Sequence, residues 1–268
     1  MTPDEFAYAA DLIRTRTGFV LTRDKGYIVE NRLGPVVRRH RFKDVGELIG
    51  LVRDGAEDLA AELLDAMMTK DTGFFRDWKP FVHLRDETLC DLARTRAAEK
   101  RLRILCAGVS TGQEAYSAAL TVLESGRFQP DWSIGILGID LSAAALTVAG
   151  RGAYTQFEVQ RGLPVTVLAH HFTKNLDLWV LEEAVRRMVE FKAWNLLNEL
   201  MPLGRFDVVL CRNVLAYFDL SSKAAVLAKL RATMAEDGRL YMGAGETPVG
   251  VADGFRAIDA GLAVFARA

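Results

Sequence analysis

The chain has 268 residues, of which 50% are hydrophobic and 26% charged, and its formal net charge at pH 7 is −1. This composition is typical of a globular protein and excludes a general nucleic-acid binder, which would carry a basic excess. No apolar run approaches the roughly 18 residues of a membrane span. The three cysteines include no CxxC spacing, so we expect a cytoplasmic protein without disulfides or a bound metal.

Residues 1–75 show the apolar spacing of helices. The pattern predicts an N-terminal helix that ends at Gly18, followed by helices over residues 24–41, 45–54 and 56–68. Pro35 should kink or break the second of them. No convincing strand precedes residue 100. We therefore predict a helical N-terminal domain over residues 1–75.

The remainder of the chain, residues 76–268, alternates strands with helices. Helical segments separate most of the short apolar runs, and this order predicts an α/β fold with an open, mostly parallel sheet. A segment at about 162–191 interrupts the alternation and is either an inserted hairpin unit or further helix. The predicted strands are 103–107, 133–140, 206–212, 238–242 and 262–267, and the predicted helices are 113–124, 143–149 and 221–236.

Small residues follow the first predicted strand, where an open parallel sheet binds its ligand. Residues 108–112 form a turn that leads into a helix, but they lack the GxGxxG and GK[ST] patterns of phosphate binding. Asp140 ends the second strand and is placed either to bind ribose hydroxyls or to cap the next helix. Together these features favour a nucleoside ligand without a diphosphate, such as S-adenosylmethionine.

Three further polar residues lie near predicted strand ends. Glu114 is in the first turn of the helix after the small-residue turn, and it is either a partner of the helix dipole or an acceptor for hydroxyl or ammonium groups. Asn195 and Asn213 could each bind an adenine edge, because an amide both donates and accepts, or simply close a turn.

Six motifs in order resemble the CheR family, the chemotaxis receptor glutamate O-methyltransferases. The resemblance covers essentially the whole chain, and the last motif is the most specific, since it is long and contains CRNV-x-x-YFD. The motifs are TGFFR at Thr72–Arg76, STGQEAYS at Ser110–Ser117, ID at Ile139–Asp140, GAY at Gly152–Tyr154, NLL at Asn195–Leu197 and FDVVLCRNVLAYFD at Phe206–Asp219.

The resemblance implies an all-α N-terminal domain followed by a Rossmann-like methyltransferase sheet with a small inserted β-subdomain. It implies methyl transfer from S-adenosylmethionine to glutamate side chains on the cytoplasmic helices of chemoreceptors, with S-adenosylhomocysteine as product. By the family pattern the cofactor contacts fall on Thr72, Arg76, Glu114, Asp140, Asn195, Leu196, Asn213 and Val214.

Two residues are candidates for the reaction itself. Arg76 is placed to orient a carboxylate, and Tyr217 to shield the sulfonium. A glutamate is already ionised at pH 7, so the chemistry requires alignment and exclusion of water rather than a general base. The basic residues Arg38, Arg39 and Arg41 form either a solvated face or a docking surface for an acidic receptor segment.

Several positions depart from the family pattern. Lys70 stands where relatives have Asn, Ala115 replaces a Pro, and Gly243–Glu246 reads GAGE where the family has GHSE. These changes leave open a CheR-like module that senses cofactor or docks a partner without turnover. A nicotinamide-dependent oxidoreductase is disfavoured because GxGxxG is missing.

The expected partner is the chemoreceptor cytoplasmic domain, with no nucleic acid and no insertion into the membrane. Family members that bind a pentapeptide tether share a Gly-containing loop in the β-subdomain, and the matching stretch here, His171–Leu178, has no Gly. We therefore predict that the protein does not bind such a tether, and we expect a monomer.

Overall fold

The computed structural model describes residues 1–68 and 71–268. The chain divides into two compact units, Met1–Thr69 with Tyr217–Ser222, and Lys70–Ala216 with Lys223–Ala268. This division falls a few residues before the predicted boundary at residue 75. It also gives the helical unit a second segment from late in the chain, which the sequence pattern did not assign to it. No helix among the described residues has the length and apolar character needed to cross a membrane.

The first unit is helical, as the apolar spacing predicted. Thr2 and Glu5 form a capping box at the start of its first helix, and Gly18 ends that helix in the left-handed conformation, with φ of 81°. The second helix runs through Pro35 without the predicted break, because Pro35 is exposed and water can bond the carbonyl that proline leaves unpaired. The helices are α1 (Pro3–Thr17), α2 (Gly26–His40), α3 (Val45–Arg53) and α4 (Glu57–Met67).

The second unit contains most of the remaining helices and all of the named strands. Its helices are α5 (Lys79–His83), α6 (Leu89–Thr95), α7 (Gln113–Glu124), α8 (Ala143–Arg151), α9 (Gln156–Gln160), α10 (Val165–His171), α11 (Glu183–Arg186) and α12 (Leu220–Thr233). The first residues of α12 are counted in the helical unit. Its strands are β1 (Arg101–Ala107), β2 (Ser133–Asp140), β3 (Ala153–Thr155), β4 (Phe172–Asn175), β5 (Leu178–Leu181), β6 (Val189–Ala193), β7 (Phe206–Cys211), β8 (Met234–Met242), β9 (Phe255–Asp259) and β10 (Val264–Arg267).

Seven strands form the main sheet in the order β6-β2-β1-β7-β8-β10-β9. The β1–β2, β1–β7, β2–β6 and β7–β8 pairs are parallel, and β10 is antiparallel to both β8 and β9. The predicted open, mostly parallel α/β sheet is therefore confirmed. Because β1 lies between β2 and β7, the residues that follow these three strands come together at one edge.

A separate three-stranded sheet, in the order β3-β5-β4, forms the small inserted β-subdomain. It begins at Ala153, earlier than the expected start near residue 162, because the GAY motif itself supplies the strand β3. The insert also ends before residue 191, since β6 pairs with β2 and belongs to the main sheet. The hairpin alternative for this segment is thus the one observed, with short helices around it.

A buried carboxylate joins β7 to the rest of its sheet. Asp207 accepts a hydrogen bond from the backbone amide of Arg103 in β1 at 2.8 Å and another from Nε of Arg96 at 2.9 Å. Arg96 also pairs with Asp237, whose side chain is 46% exposed. The same arginine thus has one buried and one exposed carboxylate partner, which allows a matched comparison of the two.

We expect Asp207→Ala to lower the free energy of unfolding by about 2–3 kcal/mol, because it leaves an amide and a guanidinium without their buried acceptor. Asp237→Ala should cost less than about 1 kcal/mol, since solvent screens exposed pairs. Urea denaturation followed by tryptophan fluorescence measures this unit selectively, because Trp78, Trp132, Trp179 and Trp194 all lie in it. Equal losses of unfolding free energy in the two variants would contradict the conclusion that the buried Asp207 is the more important partner of Arg96.

Candidate functional site

The turn between β1 and α7 is held in an unusual backbone conformation. Gly108, Ser110 and Gly112 have φ values of 76°, 50° and 94°, in the region that favours glycine. A Cβ at Gly108 would overlap a methyl group of Val214, so Val214 packs directly on the turn. The hydroxyl of Ser110 is buried without a hydrogen-bond partner among the described residues.

Asp140 joins the end of β2 to this turn. Its Oδ2 accepts from the backbone amide of Ser110 at 2.8 Å, and its Oδ1 accepts from the amide of Ser142 at 2.9 Å. The N-cap of α8 is Ser142, whose side chain accepts from the amide of Ala145. The capping alternative for Asp140 is therefore not observed, and the carboxylate is fixed at the carboxyl ends of β1 and β2.

Glu114 forms an ion pair with a buried arginine. Arg212 follows β7, its side chain is 0% exposed, and its Nη1 lies 3.1 Å from Oε2 of Glu114. Glu114 is itself only 12% exposed. Burial raises the pKa of Glu114 above its ordinary value, while the guanidinium of Arg212 acts to lower that pKa.

Arg212 also holds the turn that carries Arg76. Its Nη2 donates to the backbone carbonyl of Arg76 and to Oδ2 of Asp77, both at 2.8 Å. Phe75, Asp77 and Trp78 have positive φ, so this turn depends on tertiary bonds for its shape. The Arg76 guanidinium is near enough to Glu114 to lower its pKa, and it donates to the carbonyl of Asp71 at 3.0 Å.

Asn213 is held in place by a glutamate from later in the chain. Its φ is 59°, and its backbone N–H donates to Oε2 of Glu246 at 2.8 Å. Glu246 also accepts from the amides of Gly243 at 2.8 Å and Ala216 at 3.0 Å. The side-chain Oδ1 of Asn213 is buried without a hydrogen-bond partner among the described residues, so it is available to accept from a ligand.

The other predicted cofactor contacts lie in two segments. Asn195 follows β6, and its Oδ1 accepts from the amide of Leu197 at 2.9 Å, which is the turn-closing role that its sequence also allowed. Leu196, between Asn195 and Leu197, is buried. The backbone N–H of Trp194 donates a hydrogen bond to the carbonyl of Asp140 at 2.9 Å, so this segment adjoins the end of β2. Thr72 is half-buried, ahead of the Arg76 turn.

The remaining candidates belong to the helical unit. Tyr217 stacks on Phe19 with ring centroids 4.7 Å apart, and its carbonyl accepts from the amide of Val20 at 2.9 Å. Arg38, Arg39 and Arg41 are all exposed at the end of α2. Arg39 forms an ion pair with Glu62, which also lies 2.6 Å from Nε2 of His40.

Sequence reasoning did not assign a role to two residues that organise this site, Arg212 and Glu246. Arg212 is part of the quoted CRNV motif. It directly follows the apolar strand β7, and this position could have indicated that it is a buried arginine. Glu246 is the one acid that GAGE keeps from the family's GHSE, and its three hydrogen bonds do not involve the lost His and Ser side chains. Lys70 lies outside the described residues.

Comparison with known proteins follows the same division of the chain. The family "CheR methyltransferase, all-alpha domain" matches residues 4–68, and "CheR methyltransferase, SAM binding domain" matches residues 70–263. The chain belongs to the CheR methyltransferase family. The predicted resemblance is thereby confirmed, and with it S-adenosylmethionine as the cofactor of the second domain.

Two chemotaxis methyltransferases match this chain over most of their length. Chemotaxis protein methyltransferase 1 of Pseudomonas aeruginosa is 34% identical over 94% of this chain and 93% of the relative. Chemotaxis protein methyltransferase Cher2 of Pseudomonas putida is 33% identical over 90% of this chain and 89% of the relative. Among solved structures, PKMT2 from Rickettsia typhi with AdoHcy covers 65% of this chain and 26% of its own, at 16% identity and a TM-score of 0.38.

The described residues fit the needs of S-adenosylmethionine at this edge of the sheet. The turn at residues 108–112 leads directly into the N-terminus of α7, where backbone amides favour polar ligand groups. Asp140 presents a carboxylate, which suits ribose hydroxyls, and the unpartnered Oδ1 of Asn213 suits an amino group such as that of adenine. Glu114 presents a second, largely buried carboxylate, which pairs with Arg212 and is of a type that suits a cationic or hydroxyl group.

Asp140→Ala should weaken S-adenosylmethionine binding roughly 10- to 100-fold, because charge-assisted hydrogen bonds are lost. Isothermal calorimetry measures the change. Asp131→Ala is the matched control, since Asp131 precedes β2 at the opposite end, is exposed and pairs with Lys100. Unchanged affinity in Asp140→Ala would overturn the placement of the cofactor at this edge.

Cofactor affinity should also fall on acidification through Glu114. Because burial raises its pKa, Glu114 takes up a proton at a higher pH than an ordinary glutamate and then no longer accepts from the cofactor. Calorimetric titrations at a series of pH values should show this loss in the wild type, whereas Glu114→Gln should bind weakly and with a flatter profile. If the wild-type affinity begins to fall only near the pKa of an ordinary glutamate, Glu114 does not control cofactor binding in this way.

Proposed function

We propose that this protein transfers methyl groups from S-adenosylmethionine to glutamate side chains on the cytoplasmic helices of chemoreceptors. The family supports methylation dependent on S-adenosylmethionine in chemotaxis, and the glutamate substrate is the finer step of the proposal. The observation that carries it is the turn at Arg76, whose backbone carbonyl accepts from Arg212, the same arginine that pairs with Glu114 at the carboxyl ends of the strands. A guanidinium there is suited to orient a substrate carboxylate.

The proposed roles of the residues follow from this arrangement. When bound, S-adenosylmethionine supplies a methyl group whose bond to sulfur breaks as a bond to a carboxylate oxygen forms, which leaves S-adenosylhomocysteine. Asp140, Glu114 and the Asn213–Val214 segment hold the cofactor. Its remaining contacts are Thr72, Arg76 and the Asn195–Leu196 segment. Arg76 aligns the incoming carboxylate, and Tyr217 excludes water.

No general base is needed for this reaction, since an ionised carboxylate gives up no proton. The side chains grouped around Arg76 supply charge and hydrogen bonds rather than a nucleophile. Burial raises the pKa values of Cys106 and Cys211 well above the ordinary value for a thiol, so neither is activated. The site is thus built for alignment of a carboxylate, which favours methyl-ester formation.

The test is incubation with S-adenosylmethionine labelled with tritium in its methyl group and with a chemoreceptor cytoplasmic fragment. We expect counts in the fragment that base releases as methanol and that are lost when its acceptor glutamates are replaced by alanine. The second candidate is a module that binds cofactor without turnover, favoured by Ala244 and Gly245 in place of His and Ser. Cofactor binding without labelled fragment would establish that candidate instead.

Arg38 and Arg41, with Arg39, are proposed to dock the receptor. Reversal of both to Glu should raise KM for the receptor fragment and leave cofactor affinity unchanged. Salt should reduce the difference, because exposed charges are screened within about 8 Å at physiological ionic strength. Arg39 is left intact, since its reversal would place two acids together at Glu62.

The matched control for that double variant reverses to Glu both Arg23 and Lys25, which are exposed just before the opposite end of α2 and carry the same charge. An equal rise of KM in both double variants would mean that net charge, rather than the end of α2, attracts the receptor. The absence of a pentapeptide tether and a location in the cytoplasm remain part of this proposal.

The chemical step should be nearly independent of pH between about pH 6 and 9, where a glutamate with a pKa near 4.3 is ionised. Arg76 keeps its charge over that range, so its help in alignment does not titrate. Single-turnover rates at saturating cofactor and receptor measure the step without binding effects. A bell-shaped profile, or a tenfold slope, would show that a base takes part and would exclude carboxylate methylation as proposed.

A further inference from the structure

Arg212 is a buried charge that the stability of the fold does not require. Its side chain is 0% exposed, and its Nε has no hydrogen-bond partner among the described residues. A buried ion pair in general contributes no more stability than well-packed apolar residues of similar volume. The presence of a guanidinium at this position therefore points to a role in the site.

The two terminal nitrogens of Arg212 bind different segments of the chain. Nη1 lies 3.1 Å from Oε2 of Glu114, in the first turn of α7. Nη2 donates to the backbone carbonyl of Arg76 and to Oδ2 of Asp77, both at 2.8 Å. Because a guanidinium is planar and rigid, these bonds fix the distance between Glu114 and the Arg76 turn.

The bonds from Arg212 reach the Arg76 turn where its backbone is costly. Phe75 and Asp77 have φ values of 47° and 63°, in the left-handed region. The hydroxyl of Ser117 accepts from the amide of Phe75 at 2.8 Å, and Arg212 binds the two residues that follow. Loss of the Arg212 bonds should let the turn relax and move the backbone from which the Arg76 side chain extends.

The titratable groups around Glu114 are those of Arg212, Arg76, Glu246 and Cys106. Burial raises the pKa of Glu114, the two arginines act to lower it, and Glu246 raises it further. The thiol of Cys106 is uncharged at neutral pH, because burial raises its pKa well above the ordinary value. Arg212 is the one of these groups that is bonded to Glu114, so a change of its charge acts directly on that carboxylate.

Asp77 and Glu114 share the single positive charge of Arg212. The side chain of Asp77 is 42% exposed and that of Glu114 is 12% exposed. Removal of the Asp77 carboxylate leaves that charge to Glu114 alone and favours its ionised form. Removal of the guanidinium favours protonated Glu114 instead. The two changes therefore act on Glu114 in opposite directions, although both break the contact with the Arg76 turn.

We propose that Arg212 is a positioning residue that couples the cofactor carboxylate, Glu114, to the turn from which Arg76 aligns the substrate carboxylate. Asp77 takes part, because it binds the same nitrogen of Arg212 from within the turn. Arg212 acts through these partners, by keeping cofactor and substrate groups at a fixed spacing, rather than on the reacting atoms. This inference rests on the proposed function and deepens it.

The experiment compares Asp77→Ala and Arg212→Gln with the wild-type full chain. Single-turnover rates of methyl transfer are measured at saturating cofactor and receptor fragment, and calorimetry gives cofactor affinity at a series of pH values. Asp86→Ala is the control for Asp77→Ala, because Asp86 is 45% exposed and pairs with its neighbour Arg85. Arg96→Gln is the control for Arg212→Gln, since Arg96 is 15% exposed and binds two carboxylates in the same unit.

We expect Asp77→Ala and Arg212→Gln each to lower the single-turnover rate roughly tenfold or more, because Arg76 is no longer held in its aligned position. Asp77→Ala should keep its cofactor affinity down to a lower pH than the wild type. Arg212→Gln should lose its affinity at a pH about one unit higher than the wild type. Neither control should change the rate or the pH profile. A general loss of stability would not shift the two profiles in opposite directions.

Two results would overturn the inference. One is a wild-type single-turnover rate in Asp77→Ala, and the other is a shift of both affinity profiles in the same direction. If Arg212→Gln does not fold, the rate and pH profile of Asp77→Ala decide, since its side chain is partly exposed. Failure of the wild type to label any receptor fragment would instead contradict the proposed function. The affinity profiles are measured without receptor, so they distinguish that failure from failure of the inference.

Discussion

The guanidinium of Arg212 is the interaction on which the site depends. It is fully buried, and a charge removed from water is tolerated only when opposite charges and hydrogen bonds surround it. Glu114 and Asp77 supply the carboxylates, and the ring of Phe81 lies 5.4 Å below the guanidinium. Each partner comes from a different element, so one side chain ties the end of β7 to the start of α7 and to the Arg76 turn.

Tertiary bonds to side chains also explain how several costly backbone conformations persist in this unit. Left-handed backbone costs about 1–2 kcal/mol for most residues with a side chain and less for Asp and Asn. Phe75, Asp77, Ser110 and Asn213 all adopt it. Each is held by a tertiary bond, respectively from Ser117, Arg212, Asp140 and Glu246. These four residues lie in the segments where the cofactor is proposed to bind, and the tertiary bonds preorganise them there.

Sequence periodicity predicted the centre of the sheet better than its edges. The bounds of β2 and α7 match their predicted ranges, because β2 is an apolar run and α7 follows a small-residue turn. β6 and β9 were missed, since as edge strands they expose most of their residues and lack an apolar run. The early start of the insert was missed for a related reason, because β3 has only three residues.

The order of apolar runs and turns along the chain was enough to show which residues follow the strands, and it therefore located Asp140, Asn213 and the small-residue turn. Which of these residues meet depends on the tertiary fold. Arg212 pairs with Glu114 and Asp77, which precede it by 98 and 135 residues, and Asn213 is held by Glu246 33 residues later. Such contacts depend on strand order and on which charges become buried together. Local spacing contains no information about either, because both follow from how the sheet assembles.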